Sequence, residues 1–225
     1  MSTKAPATKP RKKQPHPLFP DGHTPTWEVA YLFPAQGAWT EDDYLDLDAI
    51  HQGHPRIELS NGRLEVLPMP TQSHQLILAF LFELLKAFTR VHAPGLVLFS
   101  GMRLRLKPGQ FRDPDIVYMK AEHAHRRQEK YWEGADLAME IVSGDPKDRQ
   151  RDLEVKPREY ARARISEYWI IDPKRRQISV LTLKGRAYKV HGDFGPGAQA
   201  TSVLLPGFAV AVDAVWAVAR GEQAR

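Results

Sequence analysis

Leu137-Ala138-Met139-Glu140-Ile141-Val142 sets a single carboxylate inside an otherwise apolar run, and the reading of this stretch decides the fold. Six residues is the length of a strand, and a strand apolar on both faces belongs in the middle of a covered sheet. Glu140 is then out of place. A lone carboxylate in a buried strand is costly unless a cation, a partner charge or a proton compensates it. The plainer reading is a strand whose Glu faces solvent or pairs with one of many arginines.

Working outward, Asp115-Ile116-Val117-Tyr118-Met119 reads as a second strand, opened by Asp115 just after Pro114, which withholds a donor and favours an extended start. Two acids on neighbouring strands can hold one hard cation at a shared sheet end. Their carboxylates are then expected within about 4–6 Å of each other. Asp113 is better suited to a turn, and the plainer reading of Asp115 is ordinary polarity where a loop enters a strand. Downstream, Lys147, Arg149, Arg151, Lys156, Arg158, Arg162 and Arg164 crowd a loop and helix directly after Glu140. Such a run is usually a solvated face; here it also reads as a cationic lip with phosphate contacts and a catalytic lysine. Lys156 and Tyr160 are four apart and share one helix face.

The rest of the chain supplies the frame. Thr40-Glu41-Asp42-Asp43 predicts a helix start with an acidic first turn. Arg56–Leu59 and Arg63–Leu67 flank Ser60-Asn61-Gly62, a hairpin signal because Asn and Gly tolerate positive φ. A long helix is predicted from Thr71 or Ser73 to about His92, apolar nearly all round. Met102–Lys107 alternates as a strand with one basic face. A basic helix is expected over about 158–164, then a strand over Glu167–Asp172. Ile178–Leu183 and Arg186–Val190 form a second hairpin, and a short helix runs from Asp213 to about Arg220. The expected class is α/β, at the α+β border, with a mixed central sheet flanked by helices behind an N-terminal helix and hairpin.

A chain of 225 residues that is 42% hydrophobic and 26% charged suits one globular domain with a tail. The absence of cysteine excludes disulfides and thiolate metal sites, so a metal falls to carboxylates and histidines, which points to magnesium or manganese. Met1 to Pro20 lacks the apolar segment of a signal peptide. The longest apolar stretch, Leu76 to Phe82, is too short to span a bilayer. A soluble, cytoplasmic protein without a membrane partner is expected.

Residues 1–26 are rich in Pro, Lys and Thr, read as a disordered basic tail, with the domain over 27–225. The tail sets Lys4, Lys9, Arg11, Lys12 and Lys13 against Asp21, a net +4, which leaves 27 basic and 26 acidic side chains, or +1, for the rest. Bulk charge of the folded part therefore says little about its partner, and the tail also reads as a mere solubilising extension. Its deletion is expected to leave the thermal midpoint unchanged and to weaken attraction to any phosphate-bearing partner mainly at low salt. A large drop in the midpoint would show the boundary misplaced.

Glu140-Ile141-Val142-Ser143, Lys156-Pro157-Arg158-Glu159-Tyr160 and Ile165-Ser166-Glu167-Tyr168-Trp169-Ile170-Ile171-Asp172-Pro173 resemble the signature of the Uma-two family of restriction-endonuclease-like proteins. So do Glu58-Leu59-Ser60-Asn61-Gly62, His74 at the head of the long helix, Arg112-Asp113-Pro114-Asp115 and the closing Leu205-Pro206-Gly207-Phe208. Each motif is weak alone; in this order, over residues 38–216, they are specific. The resemblance implies a PD-(D/E)XK nuclease core, magnesium (or manganese) as cofactor, DNA as partner, and a homodimer as an assembly to test. Asp115 matches the acid of the PD half and Glu140 the second acid, with the Ile141 carbonyl as a further metal ligand.

The usual lysine would stand two places after Glu140, where this chain has Val142. A lysine from the next helix takes its place in the family, and Lys156 matches it. The loop between Glu140 and Lys156 is slightly longer than usual and Pro157 stands where a helix former is expected, which is harmless at a first helical position and otherwise re-aims Lys156. Lys147 is the reserve. Glu58 is a further ligand or a polar residue before a turn; His74 touches phosphate or metal, or is a cap. Tyr168 and Trp169 read as core aromatics. The activity implied is metal-dependent hydrolysis of DNA phosphodiesters. The alternatives are a nuclease-fold protein that binds without cutting, and a carboxylate-pair hydrolase of sugars that would work in chelator.

Overall fold

The computed structural model describes residues 36–50 and 56–222, with backbone alone at 47–50 and 147. The tail over 1–26, the start of order near Trp27 and the Lys147 side chain lie outside the described residues.

Helix α1 (Glu41–Ile50) opens on reciprocal bonds: the Thr40 hydroxyl accepts from the Asp43 N–H and the Asp43 carboxylate accepts from the Thr40 N–H. Strands β1 (Ile57–Ser60) and β2 (Arg63–Val66) form the expected hairpin. Its tip puts Asn61 and Gly62 at φ 50° and 73°, the two positive values a tight two-residue turn needs. Gly62 is required twice over, because a Cβ there would stand 2.5 Å from the Gly37 carbonyl oxygen. Helix α2 (Gln72–His92) is capped by the Thr71 side chain, which accepts from the His74 N–H.

Next come β3 (Gly95–Phe99), β4 (Leu104–Lys107), β5 (Gln110–Arg112) and β6 (Ile116–Lys120), then β7 (Trp132–Glu133) and β8 (Leu137–Ile141). A helical run follows: α3 (Pro146–Gln150), a π turn (Arg151–Val155) and α4 (Lys156–Arg162). Strands β9 (Glu167–Asp172), β10 (Gln177–Lys184), β11 (Ala187–Phe194), β12 (Gln199–Thr201) and β13 (Ala209–Ala211) lead into α5 (Val212–Ala219).

The architecture is mixed α/β, with a central six-stranded sheet ordered β11-β10-β9-β8-β6-β3. The β8–β9 pair is parallel and its other pairs antiparallel. Strand β8 is central and buried along its whole length. Its alternation sorts the core: Leu137, Met139 and Ile141 join α2 and α5 on one face, while Ala138 and Val142 join Tyr160, Ile165 and Tyr168 on the other. Among the described residues no helix is long and apolar enough to cross a membrane.

Three features go beyond the sequence reading. The alternating 102–107 segment joins a second, five-stranded sheet ordered β2-β1-β5-β4-β7. The segment Gly95–Phe99, hidden behind the helix-ending Pro94, is an edge strand of the central sheet. The run before Lys156 is no long loop: helix begins at Pro146, so Pro157 lies well inside a helical stretch and is not its first residue. Polar residues on a partly exposed helix leave no apolar period to reveal it.

Candidate active site

Antiparallel pairing of β6 with β8 sets Ile116 opposite Met139, so one step further the register places Asp115 opposite Glu140. Residues opposite each other share a face, with Cβ atoms about 4.5–5.5 Å apart. The Asp115 side chain, just beyond the strand, turns to accept from the Ile141 N–H at 2.8 Å. Both acids are buried. They line a pocket of about 320 Å³ with Arg56, His74, Asp152 and Lys156.

Each acid is held by named partners. Asp115 Oδ2 also meets His74 Nε2 at 3.2 Å, and Oδ1 faces Arg56 at 3.4 Å. Glu140 Oε1 accepts from Lys156 Nζ and from the Tyr160 hydroxyl, each at 2.7 Å. The Lys156 ammonium is buried and stands 3.3 Å from Asp152 and 3.4 Å from Glu58. Three carboxylates therefore surround one cation.

The charges follow from this crowding. Burial raises the Glu140 carboxyl, the Lys156 ammonium pulls it down, and the negative charges of Asp115, Asp152 and Glu58 push it up again, to about 8. Asp115 goes the other way: burial raises it, but the His74 contact, Arg56 and the Ile141 N–H bring it below its ordinary value. Burial would lower Lys156, yet Glu140, Glu58 and Asp152 hold it well above the usual lysine range. Glu58 is brought down to about 2, because Lys156, Arg112 and Arg151 outweigh its burial.

This donor set fits a hard divalent cation. Glu140 accepts both its protein hydrogen bonds on one oxygen, which leaves Oε2 for another positive charge. Asp115, Glu140 and the Ile141 carbonyl are the groups that could hold such an ion. Among the described residues no three His, Asp or Glu side chains converge as a ready metal cluster.

The residues singled out in the sequence divide. Asp115, Glu140, Ile141, Lys156 and His74 meet in the pocket. Glu58 is wholly buried beside it, spending its oxygens on Arg112 at 2.8 Å and the Asp113 N–H at 3.0 Å. Asp113 serves the turn, accepting from the Gly101 N–H and pairing with Arg56. Sequence reasoning missed Arg56, Asp152 and Arg112. The Arg112 guanidinium is buried among Glu58, Glu65 and Glu159 and ties the hairpin to α4. For Asp152 a signal existed: it stands four residues before Lys156, the spacing of a helical ion pair.

A family profile described as "Putative restriction endonuclease", Uma2, matches residues 41–213. A solved structure from Anabaena variabilis ATCC 29413, described as "a putative nuclease belonging to DUF820", shares the fold with a TM-score of 0.64 at 17% identity. The match covers 80% of this chain and 98% of that one. None of the curated proteins matches.

Proposed function

Because the chain belongs to the Uma2 family of restriction-endonuclease-like proteins, we propose that it is a cytoplasmic, metal-dependent endonuclease that hydrolyses DNA phosphodiester bonds. The observation that carries this reading is the pairing of Asp115 with Glu140 on adjacent strands, with the Lys156 ammonium 2.7 Å from Glu140. Magnesium or manganese held by Asp115, Glu140 and the Ile141 carbonyl would supply Lewis-acid polarisation of a phosphoryl oxygen and of water.

The side chains do the rest. Asp115 is kept ionised by His74, Arg56 and the Ile141 N–H, so it can bind a cation at neutral pH. Lys156 keeps its proton, and its fixed charge stabilises the negative charge that builds on the phosphoryl group. Tyr160 and Lys156 hold one oxygen of Glu140 and so orient the other. Thr71, Ser73 and His74 of the α2 N-terminus line the pocket, where the helix dipole favours a phosphate.

The test is incubation with circular and linear DNA in magnesium, manganese or chelator. Metal-dependent nicking is expected, falling by about a hundredfold or more in Asp115→Ala. Cleavage undiminished by chelator would overturn the reading. A second reading, a nuclease-fold protein that binds DNA without cutting, draws on the three carboxylates that engage Lys156. It predicts saturable binding with no product in any metal.

A further inference from the structure

The backbone between Pro146 and Arg162 is helical throughout, but its hydrogen bonds change register once. The Lys156 N–H bonds to the Arg151 carbonyl, five residues back, where an α-helix would use Asp152. The Asp152 carbonyl so released accepts from the Tyr168 hydroxyl at 3.0 Å. Pro157, the next residue, has no N–H to offer the Leu153 carbonyl, and its ring crowds that carbonyl in a regular helix. Two neighbouring carbonyls thus leave the α pattern, one captured by a side chain from β9 and the other denied its donor.

Tyr168 is fully buried, with its ring edge-on to Tyr160 at 5.0 Å between centroids. Beyond the turn, Lys156 and Tyr160 both donate to Glu140 Oε1. Asp148 before it and Arg151 within it line the pocket, and Asp152 of the turn reaches the Lys156 ammonium. An added residue changes the rotational phase between the two halves of a helix, by some fraction of the ~100° each residue occupies. Single π turns recur at functional sites.

We propose that Pro157 and the Tyr168 hydroxyl are positioning groups: together they hold the π turn open, and the turn aims Lys156 at Glu140 while keeping Asp148, Arg151 and Asp152 on the pocket. The catalytic meaning of this device rests on the nuclease reading; the device itself does not. Pro157 therefore has a role in placing the lysine, where the sequence alone offered it as a disturbance.

The test uses the full chain with Pro157→Ala, Tyr168→Phe and, as an exposed control within the turn, Glu154→Ala. Two quantities are read: magnesium-dependent cleavage of circular DNA, and the slowly exchanging ¹⁵N ammonium resonance of Lys156, assigned by its loss in Lys156→Arg. In Pro157→Ala we expect cleavage to fall roughly ten- to hundredfold, as for a small misplacement of a catalytic group, and the ammonium resonance to broaden or disappear. Its thermal midpoint should hold or rise, since alanine is the better helix former. Tyr168→Phe should repeat both losses, and Glu154→Ala should show neither.

If resonance and cleavage both survive in Pro157→Ala and Tyr168→Phe, the inference is overturned. It is also overturned if cleavage falls with the resonance intact, or if both fall together with the midpoint. If the resonance is lost in both variants but no protein cleaves, wild type included, the inference stands and the nuclease reading fails.

Discussion

Lys156→Ala is expected to lower cleavage by about a hundredfold or more and also to destabilise the fold by about 3–5 kcal/mol. The two losses have different origins. Cleavage falls because a fixed positive charge no longer faces the phosphoryl group. Stability falls because Glu58, Glu140 and Asp152, all buried around the ammonium, are left facing one another. Denaturant melts in chelator measure the second loss, and added magnesium should restore part of it by binding the folded state. Lys147→Ala should cost far less, mostly through weaker substrate binding. If Lys147→Ala abolishes cleavage and Lys156→Ala does not, the catalytic cation belongs to Lys147.

Glu140→Gln should change how stability depends on pH. The Glu140 carboxyl moves from its ordinary 4.5 to about 8 in the folded protein. A group raised on folding stabilises fully below its unfolded value, and that contribution erodes as pH climbs through the folded one. Metal-free wild type should therefore lose stability between about pH 4.5 and pH 8, and Glu140→Gln should not. Glu58, lowered to about 2, acts in the opposite window: its contribution is whole above its ordinary 4.5 and is lost as pH falls toward 2. Thermal midpoints in chelator across pH 3–9 decide the matter. A wild-type minus Gln difference that stays flat from pH 5 to 8 would show that Glu140 is not raised. Activity of the Gln variant should be lost at every pH, since the ionised second acid is gone.

What the sequence revealed and what it hid differ in range. Strand β8 was legible because apolar residues on both faces mark a central strand, and Asn61-Gly62 because few other pairs accept two positive φ values. The long helix was legible from its period and its Thr71 cap. Which sheet Met102–Lys107 joins was not legible, because alternation fixes which side chains share a face and says nothing about which sheet the strand joins. Helix α3 stayed hidden in a charged run, and the π turn after it depends on a hydroxyl from Tyr168, sixteen residues beyond Asp152.

The candidate site divides the same way. Glu140 stood out as a charge where none belongs, and Pro114 drew attention to Asp115. The roles of Arg112 and Glu58 did not stand out, because they pair with each other across 54 residues and Lys156 lies further still from Glu58. Partners at that distance leave no local pattern to read.

The way the chain threads through the centre also bears on when the centre comes into being. Ile141 meets Asp115 across 26 residues, His74 meets Asp115 across 41, and Lys156 comes 16 residues after Glu140. Closing such loops is what slows folding, because their entropy is lost before the contacts return anything. During translation, a chain that has emerged only through β8 carries both acids and lacks the lysine, and one that ends at α4 lacks the β9 tyrosine that clasps its turn. Chains that end short of α4 would then lack the cleavage proposed for the whole site. Latency would be built into the order of synthesis.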